Sequence, residues 1–267
     1  TRLEDLGINV PSLRISSGGT GTNSPLITLR GQRPSTVTIT EDPAVPIYFA
    51  EVVLTPTQGT NLAMYDLANV QILKGPQGTL FGRNSTGGAL LFTPQRPGEE
   101  FGGYGEVRVG DYELLHAEGA VDLPVSDTLR VRLAGIHIGR DGYQDNVADN
   151  TLRGGDQFWD EDSYGARVTM DWTPNDRLSN LTTLAYDQNE MLNPIPVPQA
   201  FNSNSQLGQL TNVVFNGRLG GAFGTPPGAK IDEALARQRA RDWNEIETDV
   251  KGVDEVENLF AANTTEF

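Results

Sequence analysis

The sequence predicts a small α+β domain over residues 1–98 followed by an antiparallel sheet of long amphipathic strands over residues 99–267. Three observations predict it. A glycine-punctuated stretch from Val70 to Pro97 joins an apolar strand around Val70 and Ile72 to a second apolar run, Ala89 to Phe92. After Gly103, apolar and polar residues alternate with period two over segments of about ten residues, the signature of a sheet with two unlike faces. Charge breaks near Gly98, since residues 1–98 carry a net +1 and the remainder −16.

Composition narrows the class. A chain with 37% hydrophobic and 21% charged residues can fold around a core. It has no cysteine, which excludes a disulfide framework and thiolate metal sites, and fits a periplasmic or surface location. The net charge of −15 argues against nucleic acid as a partner. There is no apolar run near 18 residues, so a spanning helix is excluded. Barrel strands of about ten alternating residues are not. The N-terminus lacks a basic, apolar leader, so any signal peptide is expected upstream of Thr1.

Within the first domain, Thr1 to Leu13 reads as a short helix, with Thr1 as N-cap, Glu4 three residues on and Pro11 as the stop. Ser16 to Ser24 is a loop by composition. Strands are expected at Leu26–Arg30, Val37–Thr40 and Val45–Leu54, the first two linked through Gln32-Arg33-Pro34-Ser35. Thr55 to Asn61 is a Pro/Gly loop, and Leu62 to Leu67 a helical turn entering the Val70 strand. Beyond it, Gly75-Pro76 opens a turn, and Gly78, Gly82, Gly87 and Gly88 fold the backbone tightly. A phosphate-binding loop would need Gly-Lys-Ser/Thr at its end; here Arg83-Asn84 follow Gly82, which argues against nucleotide binding.

In the second part, Gly103, Gly105, Val107 and Val109 oppose Tyr104, Glu106 and Arg108. Leu115, Val121 and Leu123 oppose Glu118 and Asp122, and Tyr164, Val168, Met170 and Trp172 oppose Arg167 and Asp171. Strands are expected to pair in chain order, apolar members outward. Between Leu129 and Arg140 the apolar set moves from odd to even positions, which predicts a bulge at Gly135. Pro124–Asp127 and Pro174–Arg177 are tight turns, whereas Asp141–Asp162 and Met191–Lys251 are long. That asymmetry, with Tyr164 and Trp172 as girdle aromatics, is the pattern of an outer-membrane barrel. A soluble sandwich explains the alternation but not the turns.

Residues with reactive chemistry are sparse. His116 and His137 have no Ser, Cys or carboxylate at a catalytic spacing. The acidic run from Asp141 to Asp162 fails in the EF-hand frame from Asp141, because Tyr143 and Asn146 fall on the third and sixth positions, and reads as a solvated surface loop. A non-enzyme with no cofactor and no resident metal is expected.

The string Lys74-Gly-Pro-Gln-Gly-Thr-Leu-Phe-Gly-Arg-Asn-Ser-Thr-Gly-Gly-Ala89 resembles the most recognisable part of the plug domain of TonB-dependent outer-membrane receptors. Leu29-Arg30-Gly31, Val45 to Phe49 followed by Val52, and Arg96-Pro97 agree with it, and the likeness runs over residues 1–190. One departure stands out: relatives commonly carry Asp-Gly where this chain has Ala50-Glu51. The resemblance implies a plug over 1–98, with Gly75, Pro76, Gly78, Gly82, Arg83, Gly87 and Gly88 as its signature. It implies a transmembrane barrel segment over 99–267, six of about 22 strands. It further implies the bacterial outer membrane, with its lipid outside the wall, and the energy-transducing protein TonB as partner, its binding segment expected upstream of Thr1. The cargo would be a scarce, large organic or metal-chelate solute: a ferric siderophore, vitamin B12 or an oligosaccharide-like compound. Arg30 and Lys74 fall where similar plugs pair basic residues with carboxylates of the inner wall. Apical loops would present Thr22, Arg33, Ser35, Thr57, Gln58 and Asn61 to the solute, a set rich in hydroxyls and amides that suits an oxygen-rich organic molecule. The alternative is a β-rich surface binding module without transport.

Overall fold

The computed structural model describes residues 3–17, 25–33, 42–54, 64–82, 84–147, 157–192, 236, 238–242, 244–246 and 253–267. A 3-10 turn, Leu3–Asp5, runs into one helical turn, α1 (Leu6–Asn9). The helix is shorter than expected. Pro11 ends it, and Leu13 already belongs to β1 (Leu13–Ser17), because Leu13 and Ile15 pack inward with the period of a strand. β1 pairs antiparallel with β2 (Pro25–Leu29), in which Pro25, Ile27 and Leu29 are buried. The expected strand at Val37–Thr40 lies outside the described residues.

Val45–Leu54 is a hairpin rather than one strand. β3 (Ile47–Phe49) and β4 (Val52–Leu54) pair antiparallel across Ala50 and Glu51, whose φ angles are 46° and 68°. Two successive positive φ values make a turn that Asn-Gly or Asp-Gly enters at little cost, and Ala-Glu does not. The departure noted in the sequence is therefore a strained turn here.

β5 (Leu67–Lys74), α2 (Gly78–Phe81) and β6 (Gly88–Pro94) follow. The four-stranded sheet runs β4-β3-β6-β5, with β3 parallel to β6 and the other pairs antiparallel. The glycine-rich stretch thus closes an antiparallel pair. Gly75 N–H donates to Gly87 O at 3.0 Å and Gln77 N–H to Ser85 O at 2.9 Å. Tyr48 packs on Phe81 at 5.0 Å and donates its hydroxyl to the Phe81 carbonyl at 3.0 Å, which pins α2. Gly88 is required: its φ is 145°, and a Cβ there would lie 2.1 Å from Leu73 O and 2.6 Å from Leu29 Cδ2. Leu3, Leu13, Leu29, Val45, Ile47, Phe49, Leu90 and Phe92 make the core.

The second part carries β7 (Gly102–Gly110), β8 (Leu114–Ser126), β9 (Leu129–Arg140), β10 (Gln144–Asn146), β11 (Gln157–Phe158), β12 (Glu161–Asn175), β13 (Leu178–Leu192), β14 (Glu245–Ile246) and β15 (Val253–Glu266). Six of them form one sheet in chain order, β7-β8-β9-β12-β13-β15. Its hairpins are antiparallel, with Val107 opposite Ala117, Val121 opposite Leu133 and Val168 opposite Leu184. Val107, Val109, Leu115, Leu133, Tyr164 and Trp172 are exposed, whereas Arg132, Arg167, Thr169, Asp171 and Thr183 are buried on the opposite face. Tyr164 and Trp172 stand eight residues apart on the exposed face, about 26 Å along the strand at roughly 3.3 Å per residue, or about 20 Å along the membrane normal at a tilt of about 40°, which fits within the apolar band of about 25 Å in outer-membrane barrels. The 3-residue connection Asp111–Glu113 between β7 and β8 breaks the strict alternation of short and long links.

The bulge expected at Gly135 is not present. Pairing runs without a shift from Leu115↔Gly139 to Pro124↔Arg130. The apolar phase changes because the inner face has an apolar neighbour of its own: Ile136 packs with Ala120, Ala134 and Tyr65 of the first domain.

By its contacts the chain divides into two units, 1–140 with 162–190 and 254–267, and 141–161 with 191–253. The first domain and the six-stranded sheet share one unit, so residue 98 marks a change of pattern and not a gap in contacts. In the second unit β10 pairs antiparallel with β11 and parallel with β14.

Candidate functional site

Tyr65 and Asp66 precede β5 and enter the buried face of the sheet. Asp66 takes φ 50°, a conformation its short polar side chain tolerates. Its carboxylate receives the Arg132 fork, Nε to Oδ2 at 2.9 Å and Nη2 to Oδ1 at 2.6 Å. Arg132 also donates Nη1 to Asp122 Oδ2 at 2.6 Å, and Asp122 Oδ1 accepts from Gly98 N–H at 2.9 Å. Arg167 Nη2 donates to the carbonyls of Tyr65 (2.7 Å) and Asp66 (2.8 Å), with Asp66 Oδ2 at 3.4 Å. Its guanidinium lies 4.5 Å from the Tyr65 ring centre and 5.4 Å from that of Phe49. Asp66 N–H reaches Glu118 Oε1 at 3.3 Å, and the same oxygen accepts from Tyr104 OH at 2.6 Å.

This is a buried bidentate ion pair with a further donor on the Asp66 carboxylate, an arrangement that offsets part of the cost of desolvating its charges. Side-chain exposure is 3% for Asp66, 7% for Arg132 and 1% for Arg167. Removing one partner from such a set leaves an uncompensated buried charge, whereas the intact set adds little net stability; it fixes where the two parts meet.

Tyr65 fills a notch made by small residues. A Cβ on Gly165 would lie 3.2 Å from Tyr65 Cε1, 3.2 Å from Ile136 Cγ2 and 2.4 Å from Asp187 Oδ1. Burial, and then the Asp187 carboxylate, raise the Tyr65 phenol above its ordinary range. Among the described residues its hydroxyl has no hydrogen-bond partner, nor do Arg167 Nε and Nη1 or Asp187 Oδ1. Beside the clamp a cavity of about 530 Å³ has Val70 and Phe92 on one side and Glu106, Glu118 and Arg132 on the other.

Glu118, Asp122, Arg167 and Asp171 face inward as their strand phase predicts, Asp171 accepting from Arg130 Nη2 at 3.1 Å. Tyr65, Asp66 and Arg132 are not among the residues the sequence singles out. Arg132 does carry a signal, a charge in the inward phase between Val131 and Leu133; Asp66 carries none at the level of spacing. Arg30 and Lys74 are both exposed and neither enters this clamp; Arg30 Nη1 lies 3.6 Å from where a Cβ on Gly75 would be. Arg33 is exposed. Thr22, Ser35, Thr57, Gln58, Asn61 and Arg83 lie outside the described residues. No group of three or more histidines and carboxylates is arranged to hold a metal among the described residues.

A small domain clamped through buried charge to the inner face of a sheet whose outer face is apolar is a plug against a barrel wall. Residues 1–89 match the family model of the TonB-dependent Receptor Plug Domain. Residues 1–89 therefore form the plug domain of the TonB-dependent receptors, and the strands that follow are similar in fold to the start of a receptor barrel. It is 33% identical over 122 residues to the pesticin receptors of Yersinia enterocolitica and Yersinia pestis, covering 45% of this chain and 17% of theirs. The fold matches the ferric yersiniabactin uptake receptor FyuA from Yersinia pestis with a TM-score of 0.63 at 24% identity, over 72% of this chain and 29% of that one. It also matches the ferripyoverdine receptor of the outer membrane of Pseudomonas aeruginosa, with a TM-score of 0.57 at 16% identity, over 75% and 27%. The chain thus spans 17% of the curated relatives it matches.

Proposed function

We propose that this chain belongs to an active-transport receptor that captures a ferric siderophore at the cell surface and imports it with energy from TonB. The observation that carries the reading is the plug held against the wall by the Asp66–Arg132–Arg167 clamp: a seam of polar contacts can be exchanged for water, so a pull on the plug can open it. Among the solutes compatible with the family, a ferric siderophore is favoured over vitamin B12 or an oligosaccharide by the relatives, since FyuA is a ferric yersiniabactin uptake receptor and the Pseudomonas protein a ferripyoverdine receptor. Thr22, Arg33, Ser35, Thr57, Gln58 and Asn61 would meet the solute, and Arg30 and Lys74 would form a second hold on wall carboxylates. The exposed apolar face would meet lipid. On this reading the protein is a receptor and not an enzyme, and a surface binding module without transport is the competing account.

Uptake of radioiron delivered by a panel of siderophores, in cells whose only siderophore receptor is the complete protein, tests this. Import that disappears when TonB is deleted supports the proposal. Surface binding that never proceeds to import would establish the binding-module account.

A further inference from the structure

The second unit brings together two connections that are distant in sequence, β9 to β12 and β13 to β15. Its centre is Asp145. In the sheet, Asp145 stands opposite Gln157 of β11 on one side and opposite Glu245 of β14 on the other. Its N–H donates to Asn244 O at 2.8 Å. Its carboxylate accepts from Asn244 Nδ2 at 3.1 Å through Oδ2 and from Gln157 Nε2 at 3.2 Å through Oδ1. One side chain therefore holds residues 12 and 99 positions away in the chain.

The surroundings are built to keep it there. Asn146 and Gln238 are buried, and Gln238 donates Nε2 to Glu245 O at 2.7 Å. Phe158 is fully buried, and a Cβ on Gly142 would lie 2.4 Å from its carbonyl oxygen, so backbone packs on backbone. Trp159 adopts φ 69°, packs edge-on against Tyr143 at 6.1 Å and donates its N–H to Leu192 O at 2.7 Å. A bulky residue stays in that conformation only where its surroundings over-determine it. A parallel pairing cannot be closed by a hairpin, so the contacts around it offset the entropy of closing a long connection.

We propose that the described parts of these two connections, 144–146 with 157–158 and 244–246, are one preassembled element stapled by Asp145, so that a solute engaging either part displaces both. The coupling follows from contacts inside the unit; its use in solute capture rests on the receptor reading above. Free loops would each order on their own around a ligand, and stapled loops respond together.

Cysteine pairs test the staple in the complete receptor in outer-membrane vesicles, with any cysteine outside residues 1–267 replaced by serine; residues 1–267 hold none. Asn146→Cys with Ile246→Cys places the thiols on facing positions of the parallel register. Mild oxidation is expected to cross-link this pair readily, and the off-register pair Val147→Cys with Ile246→Cys poorly. Adding Asp145→Ala is expected to slow the first cross-link about tenfold, the loss of two carboxylate hydrogen bonds. Hydrogen exchange on the Asp145→Ala protein is expected to rise in both 157–159 and 244–246 while β12 and β13 stay protected, which also shows that the barrel has folded. A cross-link indifferent to Asp145→Ala, or exchange that rises in one connection only, would overturn the proposal. Failure of the receptor reading would instead show as an intact cross-link in a protein that imports nothing.

Discussion

β5 is fixed differently at its two ends, and the difference shows what kind of contact makes this plug. At its C-terminal end the chain turns through Gly75 to Gly88 and returns as β6, held by missing side chains: Gly88 leaves no room for a Cβ against Leu73 O. At its N-terminal end Tyr65 and Asp66 are held by side chains from β8, β9 and β12, which come from far along the sequence. The first end is closed by local geometry. The second is an interface, whose stability depends on two parts folding in register, and only this end can yield without unfolding the plug.

The greatest damage is expected at the glycine end. Gly88→Val should cost more than about 4 kcal/mol, because backbone must move and φ 145° is closed to a branched residue. Loss of the folded plug by limited proteolysis of the complete receptor checks it, and wild-type resistance would mean the β5–β6 pairing has slack. At the other end, Asp66→Ala should cost about 3–5 kcal/mol by taking the shared carboxylate from Arg167 and leaving the buried Arg132 with Asp122 alone. Here the plug is expected to stay folded and to loosen from the wall, seen as faster hydrogen exchange at 65–67 with β6 still protected. The two variants thus give opposite patterns along one strand.

Legibility in the sequence divides along the same line. Gly87 and Gly88, the turn at Gly75 and the alternation of Tyr164 to Trp172 are local features, so periodicity and residue type are enough to expose them. The clamp is a long-range pairing between an aspartate with no distinguishing neighbours and an arginine 66 positions on, and spacing carries no information about it. The shift of apolar phase at Ile136 is visible in the sequence but suggests a bulge so long as the inner face is expected to be polar throughout; a plug that buries Tyr65 there makes an apolar inner residue favourable. Ala50-Glu51 is legible as a departure, while its consequence, a hairpin with two positive φ values, is a property of the backbone alone.

Two smaller effects separate wall from plug. Val168→Lys on the exposed face should destabilise the folded barrel by about 2–4 kcal/mol if that face meets the bilayer near its midplane, read from barrel unfolding in lipid; no loss would invert the face assignment. Replacing Ala50-Glu51 by Asn-Gly should stabilise the plug by about 1 kcal/mol through relief of the left-handed turn. A small rise in the unfolding midpoint of the complete receptor is the expected readout.

Whether Asp66 and Arg132 act as one clamp between plug and wall can be read from a double-mutant cycle on that pair. Unfolding free energies of the complete receptor would be measured for Asp66→Asn, Arg132→Met and the two combined. Strong coupling is expected, with the double variant less destabilised than the sum of the singles by about 1–3 kcal/mol, because the second change removes a charge the first had stranded. Effects that add to within about 0.5 kcal/mol would show that the two residues do not share an interaction, and the clamp would not exist.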